Sequence, residues 1–247
     1  MIDTHAHLDA CADEPDDLVL RAQAAGVGRI VSVGCGFESC RITMAIADRH
    51  EGVLAALGVH PHQAGEQADE LEAIRPLLER PRAVAVGETG LDFFRDRAPR
   101  DAQLRLFERH LELAHELEKP VVVHTRAADH ETAAALEGFP GTVIMHCFSS
   151  PGLLVTALER GYYVSFAGNV TFPNASDLRH AATQIPADRL LVETDSPYLA
   201  PQPVRGRPNE PANVVHTLAG LARTREVEAS ELERQIDANA TTVFSLP

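Results

Sequence analysis

The chain has 247 residues, 45% hydrophobic and 23% charged, which is enough apolar material for a full core and the usual length of one α/β barrel. Acids outnumber bases 36 to 22, a net charge of −14, and this excludes any general electrostatic attraction to nucleic acid, so a phosphate-bearing ligand must be held by local features. No apolar run reaches the ~18 residues of a membrane helix, no basic-then-apolar leader opens the chain, and the four cysteines form no CxxC pair, so a soluble cytoplasmic protein with reduced thiols is expected.

Eight short apolar or β-branched runs follow one another: residues 1–5, 29–33, 53–59, 83–88, 120–124, 142–146, 162–166 and 190–193. Each reads as a strand, and helical stretches separate them. The clearest helix is 101–118, where Leu104, Phe107, Leu111, Ala114 and Leu117 keep helical spacing. Asp16, Asp101, Ser150, Ser176 and Glu210 stand near the expected helix starts. Residues 197–211 form a Pro- and Gly-rich loop expected to pack over part of the molecule. No linker, repeat or low-complexity tract divides the chain, so one domain over 1–247 is expected. Continuous apolar strands alternating with helices predict an α/β fold of the (β/α)8 TIM-barrel type. In such barrels the chemistry sits at the C-terminal ends of the strands.

Those ends carry the informative residues. The first run ends in "HAH", His5 and His7, which alternation in a strand would aim at one point. The third ends in "GVHPH" with His60 and His62, and the fourth in "VGETGLD" with Glu88. The fifth ends in "VVVHTR" with His124 and Arg126, the sixth in "VIMHCFS" with His146, and the eighth in "VETDSPY" with Glu193 and Asp195. His5, His7, Glu88, His124, His146 and Asp195 are four imidazoles and two carboxylates. That is too many ligands for one tetrahedral ion and suits two, with room for water and substrate. Imidazole suits zinc, manganese, iron or nickel, and the carboxylates extend the choice to magnesium and calcium; Mg, Mn or Zn is expected. Glu88, on the middle strand of the set, is the expected bridge. The only lysine, Lys119, precedes the fifth run at the opposite face of the barrel, so a carboxylated lysine cannot bridge the ions. His50, His110, His115, His130, His180 and His216 lie in helical or loop segments and read as solvated or capping side chains.

"DTHAHLD", "GVHPH", "VGETGLDFF", "VHTR", "MHCFS" and "VETDSPYLAPQPVRGRPNEP", in this order, resemble the successive motifs of the TatD family of metal-dependent deoxyribonucleases, among the amidohydrolase-type barrels. The resemblance runs from residue 3 to about residue 213. It implies hydrolysis of DNA phosphodiesters, often as a 3′→5′ exonuclease on single-stranded ends, with two divalent ions and in some cases a third. It puts His5, His7, Glu88 and Asp195 on one ion and Glu88, His124 and His146 on the other. Thr89, the pair Phe93-Phe94 and Arg207 depart from commoner family residues without changing a ligand.

Roles for the surrounding residues remain open at this stage. Asp195 is expected to bind metal and to accept the proton of the attacking water. Glu193 could orient His60 or His62, hold a third ion, or only support a ligand. His60 and His62 could meet substrate phosphate, hold a further ion, or support other ligands. Arg126 could reach a phosphate oxygen or pair with Asp92 or Asp129. Arg205, Arg207 and Asn209 could line an entry groove. Phe93, Phe94 and Phe148 could stack a base or pack inside. Cys147 reads as small buried packing. A metal-dependent hydrolase of small amides, lactones or phosphoesters on the same barrel is the rival reading, since a fold does not set its substrate. No protein partner or membrane association is inferred.

Overall fold

The computed structural model describes residues 1–65 and 70–246. Eight strands alternate with helices among them: β1 (Ile2–Ala6), α1 (Pro15–Ala24), β2 (Arg29–Cys35), α2 (Phe37–Arg49), β3 (Val53–Gly58), α3 (Glu70–Leu78), β4 (Ala83–Asp92), α4 (Arg100–Glu116), β5 (Val121–Arg126), α5 (Asp129–Ala135), β6 (Val143–Met145), α6 (Leu154–Glu159), β7 (Tyr163–Phe166), α7 (Ser176–Gln184), β8 (Leu190–Val192), α8 (Val214–Arg225) and α9 (Ala229–Val243). The strands form one parallel sheet in sequential order. The sheet closes on itself. Ala6 bridges Ser196, and the Thr4 hydroxyl donates to Val192 O at 2.9 Å. This is the (β/α)8 barrel expected from the alternation. Val121, Val122 and Val123 are all buried, because helices cover one side of each strand and the barrel interior the other.

The strand ends differ from the sequence reading where they matter most. β4 continues past Glu88 to Asp92 and stays paired with β5, Thr89 opposite Val123 through Asp92 opposite Arg126. Its last residues include Gly90 and the acid Asp92, which a hydropathy reading takes for a loop. Among the described residues, two of the three register irregularities fall on segments that carry candidate ligands: Asp3 to Ala6 in β1, around His5, and Val86 to Thr89 in β4, around Glu88. Such bulges re-aim side chains where a plain pleat would send them elsewhere.

α4 spans the expected helix, but its buried face is more polar than the apolar spacing implied. Gln103 and His110, seven residues apart, are fully buried beside Phe107, while Leu104 and Leu117 are only partly buried. Gln103 Oε1 accepts the Asp92 N–H at 2.8 Å, and its amide donates to Ala98 O at 2.9 Å. His110 is thus a core residue, not a solvated one. Its Nε2 accepts the Val59 N–H at 3.0 Å and its Nδ1 faces Leu106 O at 2.8 Å. α4 therefore holds the backbone at the ends of β3 and β4 through side chains. The residues expected near helix starts stand there, Asp16 and Asp101 in the first turns of α1 and α4 and Ser176 at the start of α7, though none caps its helix through its side chain. Asp16 pairs with Arg49 and His50, and the N-caps of α4 and α7 are Pro99 and Ala175.

Candidate metal centre

The strands deliver six side chains to one end of the barrel. His5 Nε2 and His7 Nε2 lie 3.2 Å apart, and both face Glu88 Oε2, at 3.4 and 3.5 Å. Asp195 Oδ1 stands 3.6 Å from His7 Nε2 and 3.9 Å from His5 Nε2. The other oxygen, Glu88 Oε1, faces His124 Nδ1 at 2.9 Å and His146 Nε2 at 3.0 Å. The two oxygens of Glu88 are thus divided between two groups of imidazoles, as a bridging carboxylate requires. The sequence motifs supplied these residue types, and the fold brings all six together.

His60 joins the second group, its Nε2 3.3 Å from Glu88 Oε1. It is turned there by its own turn, where Nδ1 accepts the His62 N–H at 3.1 Å and Pro61 starts a single 3-10 turn. His62 faces elsewhere: its Nε2 is 2.8 Å from Asp92 Oδ2, which also lies 3.2 Å from His124 Nε2. Asp92 is almost fully buried and was missed as a site residue. A strand pattern E-x-G-x-D, with Glu88, Gly90 and Asp92 on one face, was the signal that could have found it. Gly90 between them is required. Its φ is +130°, and a Cβ there would lie 2.1 Å from His124 O.

Electrostatics follow from this crowding. Burial works against the Glu88 charge, but the His146 and His60 charges and the His124 and His146 contacts outweigh it and hold the carboxyl well below its ordinary range. Burial also opposes ionisation of Asp92 and Asp195, yet contact with His124 for the first and His7 for the second lowers both. Desolvation pushes His5 down and His60 down to about 4. His146 is desolvated too, but the Glu88 and Glu193 charges raise it well above the usual value. Imidazole nitrogens facing shared anionic oxygens at 3–3.5 Å form a donor set that fits divalent cations, and three overlapping groups can hold one: His5, His7 and Glu88; His5, His146 and Asp195; His60, Glu88 and His124.

The surrounding residues correct several expectations. Glu193 orients neither His60 nor His62. Its Oε1 accepts from His146 Nδ1 at 3.2 Å and from the Cys147 N–H at 2.7 Å. Arg126 shows no ion pair with Asp92 or Asp129 among the described residues; its guanidinium lies 4.0 Å from the centre of the exposed Phe94 ring. Phe148 is buried against Phe166, with ring centres 5.9 Å apart, and cannot stack a base. Phe93 packs against the core under Arg100. Arg205 lies 3.7 Å over Phe172, while Arg207 is exposed. Asn209 does not line a groove. It is buried, and its amide donates to Thr194 O at 3.0 Å and to Tyr198 O, tying the 197–211 loop to the barrel. Cys147 is half-buried, and desolvation keeps its thiol well above the usual range, so it is no ready thiolate ligand. Lys119 donates to Ala83 O at the start of β4, the far end of the barrel from the site. Asp3, also overlooked in the sequence, is buried under the first group. It accepts from the His5 N–H at 3.2 Å, from the Thr194 N–H at 2.9 Å and from the Thr194 hydroxyl at 2.6 Å.

With this geometry in view, the likenesses to known proteins are specific. The profile of the family described as TatD related DNase matches residues 2–245. The chain is 39% identical to a protein of Mycobacterium tuberculosis named "Uncharacterized metal-dependent hydrolase TatD", with 100% of this chain and 98% of that one covered. It is 38% identical to a "3'-5' ssDNA/RNA exonuclease TatD" of Klebsiella pneumoniae, over 94% of this chain and 92% of the relative. The crystal structure of YJJV, a TatD homologue from Escherichia coli K12, superposes with a TM-score of 0.93 at 33% identity, covering 100% of this chain and 98% of that one.

Proposed function

The chain belongs to the family of TatD related DNases, metal-dependent hydrolases, and we propose that it is a divalent-metal-dependent deoxyribonuclease that trims single strands from their 3′ ends. The observation that carries this reading is the division of Glu88 between two imidazole groups, His5 with His7 and His124 with His146. In this proposal two ions of Mg, Mn or Zn are held, one by His5, His7, Glu88 and Asp195, the other by Glu88, His124 and His146, with His60 beside the second. Asp92 and His62 stand where a third could be held. Bound ions supply positive charge at the phosphoryl group and acidify water for attack. Asp195, facing the first group, accepts the proton of the attacking water. Glu193 fixes the His146 ring, and Asp92 fixes His124. The name of the Klebsiella relative supports a single-stranded nucleic acid as substrate and the 3′→5′ direction. No helix among the described residues is long and apolar enough to cross a membrane, and all four cysteines are free thiols; the thiols support a cytoplasmic setting.

The test is digestion of an end-labelled single strand beside a panel of small amides, lactones and phosphoesters. Chelator should abolish cleavage of the strand, and added Mg²⁺ or Mn²⁺ should restore it. Full activity after metal stripping, or turnover confined to the small compounds, would overturn the proposal.

A further inference from the structure

Large apolar side chains stand in solvent on both sides of the metal centre. Phe94 is 61% exposed and Tyr198 57%. Phe94 follows β4 and Tyr198 follows β8, and in a closed barrel of eight strands in sequential order these two strands face each other across the axis. The ligand cluster lies between them. The Tyr198 ring sits edge-on to His7, ring centres 6.0 Å apart. The Phe94 N–H is held at 3.0 Å by Asp92, the carboxylate that also meets His62 and His124. The other highly exposed side chains of this kind, Leu20 and Val155, are aliphatic and sit on the outer helices α1 and α6. Scattered residues of that sort are ordinary surface.

Cations accompany the two rims. Arg126 lies 4.0 Å from the Phe94 ring centre and Arg95 5.9 Å. In the 197–211 loop that carries Tyr198, Arg205 lies over Phe172. In a chain of net charge −14, a polyanion can approach only where positive charge is local, and guanidinium groups laid on rings keep N–H donors for phosphate.

Building on the nuclease reading above, we propose that one unpaired strand crosses the mouth of the barrel from Phe94 to Tyr198, a base stacked on each ring and the phosphate to be cut between them. Arg126 and Arg95 hold the phosphate beside the Phe94 base. Every base offers a π-face, so such platforms tolerate any sequence. A duplex keeps its base faces inside its own stack, so these two rings select single strands.

The experiment measures binding of a fluorescent oligonucleotide by anisotropy, on an Asp195→Asn background so that the strand stays intact. Phe94→Ala and Tyr198→Ala should each raise Kd roughly tenfold, the scale of one lost stacking contact, while Phe94→Trp keeps parental affinity and Leu20→Ala on α1 changes nothing. An oligonucleotide with abasic sites flanking the scissile phosphate should bind the parent as weakly as the normal strand binds the double variant, and the double variant should not distinguish the two strands. Melting curves confirm that each variant is folded. Equal affinities for parent and alanine variants, or an unchanged abasic penalty in the double variant, would sink the two-sided path alone. A wild-type protein that neither binds nor cuts the strand overturns the nuclease reading and this proposal with it.

Discussion

Glu193 Oε1 accepts a hydrogen bond from His146 Nδ1 at 3.2 Å and, with the same oxygen, the Cys147 N–H at 2.7 Å. A carboxylate only accepts, so Nδ1 carries a proton, and this contact fixes the ring with Nε2 facing Glu88 Oε1 at 3.0 Å. Removing this support should loosen metal without unfolding the barrel. Glu193→Gln keeps an acceptor but loses the charge, and Glu193→Ala loses both. We expect affinity for Mn²⁺ to fall about tenfold in the first and nearer a hundredfold in the second, the usual cost of losing a partner behind a ligand. Calorimetric titration of stripped protein measures it. Parental affinity in Glu193→Ala would mean that His146 needs no such partner.

Gly90 of β4 pairs with His124 of β5. A methyl group there would meet His124 O at 2.1 Å, and the φ of +130° is one that residues with a side chain rarely adopt. Gly90→Ala must therefore displace the His124 backbone. It should lose cleavage and should melt well below the parent, since overpacking and backbone strain together cost on the order of 3 kcal/mol or more. Gly138→Ala, which meets open space, is the control and should leave both readings unchanged.

His110 makes stability depend on pH. Burial lowers it to about 4, from 6.5 in the unfolded chain. Between these values the unfolded chain binds the extra proton, so stability is complete above pH 6.5 and is lost as pH falls toward 4. The full loss is about 3 kcal/mol at 1.36 kcal/mol per pH unit. His110→Phe removes the acceptor for the Val59 N–H and should cost about 1–3 kcal/mol at pH 7. Its urea-unfolding free energy should then fall less steeply from pH 6.5 to 4 than the parent's. Parallel slopes for the two proteins would refute the assignment.

Asp195 lies in the left-handed region, with φ +54°, which asparagine tolerates better than alanine. Asp195→Asn therefore removes the base with the least disturbance to the turn. We expect kcat on a single strand to fall ~10²- to 10⁴-fold, the usual contribution of a general base, with an unchanged circular dichroism spectrum. Turnover within a few-fold of the parent would remove Asp195 from its role.

The barrel was legible because each strand is a short apolar run and each helix keeps a stripe. The six clustered side chains were legible because each stands at or just past the end of such a run, so hydropathy marked the place and residue type marked the chemistry. Asp92 escaped because Gly87, Glu88 and Gly90 break the apolar pattern while the backbone pairing with β5 continues. Asp3, Gln103 and His110 escaped for another reason. They are buried polar groups satisfied by backbone partners outside their own element's pattern, Thr194 for Asp3, Asp92 and Ala98 for Gln103 and Val59 for His110, and neither spacing nor composition records which carbonyl or amide will be near. The bulges around His5 and Glu88 leave no mark on periodicity either. Glu193 was singled out, but its partners, His146 and Cys147, follow β6, two strands away across β7, and nothing in the sequence pattern records that approach.

The seam where β1 meets the segment after β8 is stitched by Asp3 to Thr194, by the Asp195 N–H to His5 O at 2.9 Å and by the His7 N–H to Ser196 O at 2.8 Å. His5 and His7 thus acquire their carboxylate neighbour from almost two hundred residues downstream. During translation the opening histidines emerge long before Asp195, and until the last strand docks, nothing holds the three in register. A half-made polypeptide accordingly lacks the assembled cluster, which forms only once the ring has shut.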